Sequence, residues 1–363
     1  MHKKSTMLII NLSYHCNNNC IFCSVDTHTV KKYIMPMKFN RVKELFEQYS
    51  NNRDNYIQLA GGEPTLYHRF DEVLDLIRKS AAQCMLRTNG RFFSDFEYSA
   101  TLLDNIKLAI VIPFFGTSGK EFNLLAGSDK SFDETVRGID NIYKIKRNIN
   151  SGISMALTLY FCKSTLDVNP DIAEMIMERW PEIDALECSF IKIASPVSVK
   201  NRDLLAISLD ELHDSLNNTL RKIHEREISF AVDFNSLPIC LIDDEFLYMI
   251  DNNWTMGLTS VITEFYFSDG RRHRETDSAV IKQDPLTCCM DSLDEESATG
   301  DPELMNFCDS CILNTMCSYR FAPAKLRKNS EIFKKIIAFN SIETLYKIKG
   351  ITLDCQFDME IKN

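Results

Sequence analysis

Three cysteines, Cys16, Cys20 and Cys23, fall within the stretch SYHCNNNCIFCSVD; three asparagines separate the first two, and Ile21 and Phe22 separate the last two. Three thiolates on one short loop can hold three irons of a 4Fe–4S cubane, whereas ordinary electron-transfer clusters take four cysteines. The fourth iron is then open to another ligand, and an open coordination position marks catalytic rather than structural metal sites. Zinc is the competing reading, with His15 or His28 as the fourth ligand. Asn17, Asn18 and Asn19 suit a tightly folded loop, because asparagine tolerates left-handed backbone and hydrogen-bonds nearby main chain.

A second stretch with chemical potential is QLAGGEPTL, which holds Gly61, Gly62, Glu63 and Pro64. Adjacent glycines let backbone approach a ligand closely, and a carboxylate beside them can meet an ammonium group. Taken alone, the same residues would also make a plain strand-ending turn. Cys84, Cys162 and Cys188 lie in apolar runs and read as small core residues.

The elements that must position these groups follow an alternation of apolar strand-like runs with segments of helical period, the pattern of a parallel α/β fold. Strands are expected at 7–12, 56–60, 84–88, 106–112, 153–161 and 185–193, and helices at 39–49, 69–80, 95–104, 132–146, 171–179 and 210–227. Pro170 suits a helix start, where its missing N–H costs nothing. Six such units make a partial (β/α)6 TIM-like barrel whose strand C-termini face one way, the end where a barrel builds its chemistry. The three-cysteine loop follows the first strand and GGEP ends the second. The character changes near residue 228: residues 260–281 read as a hairpin about Asp269-Gly270, and a cysteine-rich segment follows. The expected division is 1–227 for the barrel and 228–363 for a smaller domain.

The chain has 363 residues, 45% of them hydrophobic, enough for a large core. A formal charge of -10 gives no electrostatic footprint for nucleic acid or an anionic membrane. No stretch approaches the roughly 20 apolar residues that span a bilayer, and the N-terminus lacks a signal-peptide core. A cytoplasmic protein is expected, in which 13 cysteines stay reduced and their clustering points to metal rather than disulfides.

The CxxxCxxC of Cys16, Cys20 and Cys23, with the aromatic Phe22 before the last cysteine, resembles the signature of the radical S-adenosylmethionine (radical SAM) superfamily. Gly61-Gly62-Glu63-Pro64 resembles the family's GGE motif, which lines the methionine end of bound SAM. Arg87 to Gly90, RTNG, resembles the segment beside SAM, bringing in Thr88 and Asn89, although a bare turn fits it too. Residues 112–142 resemble the stretch after the fourth strand in the peptide-maturase and MoaA-like branches. Pro113 and Phe115 stand where those relatives often carry Ser and Asp, which leaves Thr117 or Ser118 to contact the ribose. Phe22 is the one adenine contact the resemblance supplies.

Near the C-terminus, FCDSCILNTMCSYRF places Cys308, Cys311 and Cys317 as CxxCx5C. This resembles the core of a SPASM domain in its reduced, twitch form, and implies one auxiliary 4Fe–4S cluster. Cys240 is the first choice for its fourth ligand, with Cys288, Cys289 and Cys355 as alternatives; a structural zinc knuckle is the competing reading.

The resemblance implies an enzyme in which the Cys16/Cys20/Cys23 cluster binds SAM and cleaves it reductively to a 5′-deoxyadenosyl radical that abstracts hydrogen. Its implied partners are a flavodoxin- or ferredoxin-type reductant and a peptide or small-molecule substrate, with no nucleic acid and no membrane. Peptide (RiPP) maturation is expected first, and radical oxidation or rearrangement of a small-molecule natural product or cofactor precursor second. The early first strand leaves no room for an N-terminal leader-binding or cobalamin domain, an expectation that weakens the peptide reading unless a separate protein supplies the former. A non-catalytic iron-sulfur carrier is the rival from another class, and it would neither bind nor cleave SAM.

Overall fold

The apolar run near the N-terminus forms β1 (Thr6–Ser13), and strand and helix then alternate through α1 (Phe39–Tyr49), β2 (Tyr56–Gly61), α2 (Phe70–Arg78), β3 (Gln83–Arg87), α3 (Phe96–Leu102) and β4 (Leu108–Phe114). Two helices, α4 (Gly119–Ala126) and α5 (Ser131–Asn148), precede β5 (Ile153–Phe161), α6 (Asn169–Arg179) and β6 (Ala185–Phe190). The short helices α7 (Pro196–Lys200) and α8 (Arg202–Leu205), then α9 (Leu209–Glu225), lead to β7 (Phe230–Val232), and β8 (Ile262–Tyr266) and β9 (Arg272–Glu275) follow. This computed structural model describes residues 6–23, 35–191, 195–207, 209–232, 242, 243, 246, 262–266 and 272–275. Cys240, Cys288, Cys289, Cys308, Cys311, Cys317 and Cys355 lie outside the described residues, as does His28.

The strands form one sheet in the order β7-β6-β5-β4-β3-β2-β1-β8-β9, parallel throughout except for the β8–β9 pair. Strands β1 to β7 are laid down one place at a time, as expected when each right-handed crossover places the next strand beside the last. The fold is the expected parallel α/β partial barrel. The sheet is wider than the six expected strands: β7, three residues long and without readable periodicity, extends one edge, and β8 and β9 extend the other. The antiparallel hairpin expected about Asp269-Gly270 is present as β8 and β9, with Tyr266 opposite Arg272. Its first strand pairs in parallel with β1, Met7 opposite Thr263, so the sheet takes in residues from beyond position 227.

Alternate residues of the strands face opposite ways. Leu8, Ile10 and Leu12 of β1 share one apolar layer with Ile57, Leu59, Ile110, Ile112, Leu157 and Leu159. Helices cover this layer with residues at helical spacing: Val42, Leu45 and Phe46 of α1, and Ile139, Ile142 and Ile145 of α5. Burying each such side chain contributes about 1.5–3 kcal/mol.

The other face lines the barrel interior. Val111, Ala156 and Ala185 stand in register and pack with Met85 as a small separate plug. Two residues further along the strands are Arg87, Pro113, Thr158 and Glu187. Arg87 of β3 meets Glu187 of β6 through two hydrogen bonds of 2.8 and 2.6 Å. Three strand spacings separate them, about 14 Å along a flat sheet. Their contact therefore requires the sheet to curl, with these faces inward.

Helix α4 was not among the sequence expectations. Its signals are local and short: Ser118 as N-cap, Glu121 three residues on, and Gly127 as the left-handed stop. No helix among the described residues is long and apolar enough to cross a membrane.

Candidate functional site

The loop that leaves β1 is stitched to the end of β2. Gly62 N–H donates to Ser13 O and Glu63 N–H to His15 O, both at 2.7 Å. Gly61 has φ +125°, and a β-carbon there would lie 2.3 Å from Ser13 O; one on Gly62 would lie 2.4 Å from His15 O. Within the protein, what the two glycines admit is the backbone of the cysteine loop itself.

Glu63, 1% exposed, ties these residues to the end of β3. One carboxylate oxygen accepts from Thr65 N–H at 3.2 Å, Thr65 Oγ1 at 2.7 Å and Thr88 Oγ1 at 2.7 Å; the other accepts from Asn89 N–H at 2.7 Å. Burial raises its carboxyl above the ordinary range, and the hydrogen bonds from Asn89, Thr88 and Thr65 oppose that rise. The carboxylate expected to meet an ammonium group thus spends two of these four bonds, those from Thr88 and Asn89, joining two loops, and the other two closing its own turn at Thr65. Pro64 opens a single 3₁₀ turn that Glu63 caps. Asn89 continues the chain of contacts, its side-chain NH₂ donating to Asn17 Oδ1 at 2.6 Å. The structure therefore brings Gly61, Gly62, Glu63, Thr88 and Asn89 together around the three-cysteine loop at the C-terminal ends of β1, β2 and β3.

On its other side the loop leans on α4. Asn19 N–H donates to Ala126 O at 2.9 Å and Ile21 N–H to Leu125 O at 3.0 Å. Gly127, at φ +61°, has no room for a β-carbon, which would lie 2.0 Å from Asn19 O. Arg91, directly after RTNG, reaches the loop as well, and nothing in periodicity or spacing marks it beyond that position.

Phe22 packs edge-on to Phe115 with ring centroids 5.2 Å apart and lies 5.3 Å from Tyr160. Phe115, standing where relatives often carry a polar residue, is buried and also meets Phe122 at 4.8 Å. The wall beside the last cysteine is therefore aromatic. Ser118 caps α4, accepting from Glu121 N–H at 3.5 Å.

Cys16, Cys20 and Cys23 are half-buried residues, unlike Cys84, Cys162 and Cys188, which are buried in the core as expected. Burial, with Glu63 nearby, pushes the Cys16 thiol up to about 12, and burial together with Cys23 and Cys16 raises Cys20. Such thiols ionise when a cation displaces their protons. Among the described residues no three His, Cys, Asp or Glu side chains converge on one ion. An iron-sulfur cluster asks for a different arrangement, one thiolate for each of several irons, and three thiols spread around one loop fit it. Ser13 Oγ, buried where β1 meets that loop, has no hydrogen-bond partner among the described residues.

The family model described as Radical SAM superfamily matches residues 10–160. A protein of Methanocaldococcus jannaschii, named provisionally as a glycyl-radical enzyme activating enzyme, is 26% identical over 160 residues, 39% of this chain and 62% of that protein. The GTP 3′,8-cyclase of Photorhabdus laumondii is 23% identical over 178 residues, 44% of this chain and 52% of the cyclase. The chain thus spans less than two thirds of either relative. Among solved structures, anSMEcpe with bound AdoMet and the Cp18Cys peptide superposes with a TM-score of 0.60 at 16% identity, over 96% of this chain and 99% of that one, a likeness of fold. With the three-cysteine loop, the paired glycines and the end of β3 all inside the matched span, residues 10–160 form a radical SAM superfamily domain.

Proposed function

We propose that the protein is a radical SAM enzyme in which Cys16, Cys20 and Cys23 hold a 4Fe–4S cluster whose open iron takes SAM. The observation that carries this reading is the stitching of the three-thiol loop to the ends of β2 and β3 through Gly61, Gly62, Glu63, Thr88 and Asn89. When bound, cluster and SAM together supply a 5′-deoxyadenosyl radical that removes hydrogen from a substrate. The chain's own part is to orient and to exclude water. Gly61 and Gly62 hold the loop against β2, Thr88 and Asn89 fix its distance from β3, and Ser13 Oγ offers a buried polar atom. Phe22 supplies an apolar surface for the adenine, in an aromatic wall with Phe115 and Tyr160. Ser118 remains the proposed polar contact to the ribose, and Pro64 shapes the turn below.

Peptide maturation is the substrate reading we favour, supported by the fold shared with anSMEcpe, whose structure holds a peptide. Conversion of a small molecule is the second reading, favoured by the sequence likeness to a GTP 3′,8-cyclase. Residues 228–363, apart from β7, β8 and β9, which join the barrel sheet, are proposed to form a SPASM/twitch-like domain in which Cys308, Cys311, Cys317 and Cys240 hold an auxiliary cluster. A flavodoxin- or ferredoxin-type protein would supply electrons, in the cytoplasm.

The test is iron, sulfide and zinc content after anaerobic reconstitution of the wild type and of a Cys16/Cys20/Cys23→Ala variant, with 5′-deoxyadenosine measured after adding SAM and dithionite. The expected result is about eight irons in the wild type and about four in the variant, with SAM cleaved only by the wild type. Zinc with about four irons would make the C-terminal cysteines structural. Full iron loading without SAM cleavage would sink the enzyme reading.

A further inference from the structure

We propose that Arg91 is the positioning residue of the three-cysteine loop, a buried guanidinium clamp that gives the loop its shape before any metal binds. The proposal deepens the reading above, since it concerns the same loop, but its main test needs no metal.

Arg91 lies just past β3, and its side chain is 9% exposed. One edge of the guanidinium is anchored: Nε donates to Glu134 Oε2 at 2.7 Å, and a terminal nitrogen lies 2.7 Å from the same oxygen. Glu134 sits in the first turn of α5, where a carboxylate is favoured by the helix dipole. The other terminal nitrogen serves the loop. Its two hydrogens serve Asn17 O and Asn18 Oδ1, the latter at 2.7 Å, and Ser128 Oγ in the α4–α5 connection lies 3.2 Å away as a shared acceptor. Asn18 Oδ1 accepts a second bond from Ser131 Oγ at 3.1 Å, and Asn18 N–H points to Cys16 Sγ at 3.4 Å.

The loop groups meeting Arg91 are thus oxygens of the asparagine run between Cys16 and Cys20. Arginine suits the task because its five N–H donors lie in a rigid planar fork and it remains charged at any working pH. A lysine ammonium can reach one of these partners but cannot bridge Glu134 and the loop in one plane. Together with the Asn19 and Ile21 bonds to α4, the clamp holds the asparagine run from outside. The thiols then need little further ordering when metal arrives, which lowers the entropic cost of binding.

The experiment is hydrogen exchange over residues 14–23 in metal-free protein held reduced with a chelator, for the wild type, Arg91→Met, Arg91→Lys and Glu134→Gln. Exchange in Arg91→Met is expected to be about tenfold faster across 17–21, unchanged in β5 and β6, and partly restored in Arg91→Lys. After iron reconstitution, the EPR signal of the reduced Arg91→Met protein is expected to broaden, reporting a heterogeneous cluster environment. Should Arg91→Met fail to fold, Glu134→Gln decides: faster exchange confined to the same loop supports the clamp, and wild-type exchange overturns it. Exchange in a folded Arg91→Met indistinguishable from wild type overturns it directly. A wild type that never cleaves SAM would instead strike the proposed function, and would leave the exchange result standing.

Discussion

Glu63 shows how much one side chain can decide. Its two oxygens accept four hydrogen bonds from Thr65, Thr88 and Asn89 at 1% exposure, three on one oxygen and one on the other. Glu63→Gln replaces one acceptor by an NH₂ group facing N–H or O–H donors. Leaving such buried groups unmatched costs about 1–3 kcal/mol. An unfolding free energy from denaturant titration lowered by that amount, seen as a lower midpoint, together with reduced 5′-deoxyadenosine formation, is the expected outcome. An unchanged midpoint would mean that the bracket between β2 and β3 contributes nothing. The residue type was legible as part of GGEP; its distant partners Thr88 and Asn89, 25 and 26 residues away, were not, because nothing in local spacing says which loop a carboxylate will reach.

Among the elements, α4 links helix capping to the site. It is eight residues long, is capped by Ser118, and stops at Gly127 against the cysteine loop. Ser118→Ala removes the N-cap and is expected to cost about 1 kcal/mol, read as a lower thermal midpoint without SAM. If Ser118 also contacts the ribose, the same variant will raise the apparent Kd for SAM beyond what the stability loss produces. Equal SAM affinity in the two proteins would confine Ser118 to the cap. The helix escaped sequence reading because two turns offer little periodicity, although the Ser-x-x-Glu start and the glycine stop were both present.

At the scale of the whole molecule, the pair Arg87–Glu187 crosses the barrel interior from β3 to β6. Thr158 Oγ1 adds a 2.5 Å bond to the carboxylate, whose side chain is only 4% exposed against 27% for Arg87. Removing one partner strands a buried charge, so Arg87→Met is expected to destabilise by about 3–5 kcal/mol, whereas Arg87→Met/Glu187→Met should recover most of that loss. A double variant as unstable as the single one would refute the strut. The pH dependence follows in sign: burial pushes Glu187 up, yet Arg87 and Thr158 together hold it below the ordinary carboxylate range. A depressed carboxyl contributes stability above its unfolded value, about 4.3, and that contribution is lost as pH falls through the lower folded value. Acid unfolding of the wild type below about pH 4 should therefore be steeper than that of the double variant.

The sequence by itself determined the class of the fold and the identity of the chemical groups. Period-2 and period-3.6 apolar patterns report which face each element buries, so six strands and most helices were legible within a few residues. The spacing of Cys16, Cys20 and Cys23 reports covalent proximity, which survives any folding. Only the tertiary structure decided what those groups touch: that Gly61 and Gly62 make room for the loop's own backbone, that Glu63 brackets two loops, that Arg91 grips the asparagines, and that β8 lies beside β1. These contacts join residues distant in the chain. Their energies depend on burial and hydrogen-bond geometry set by the curl of the whole sheet, which no local stretch of sequence encodes.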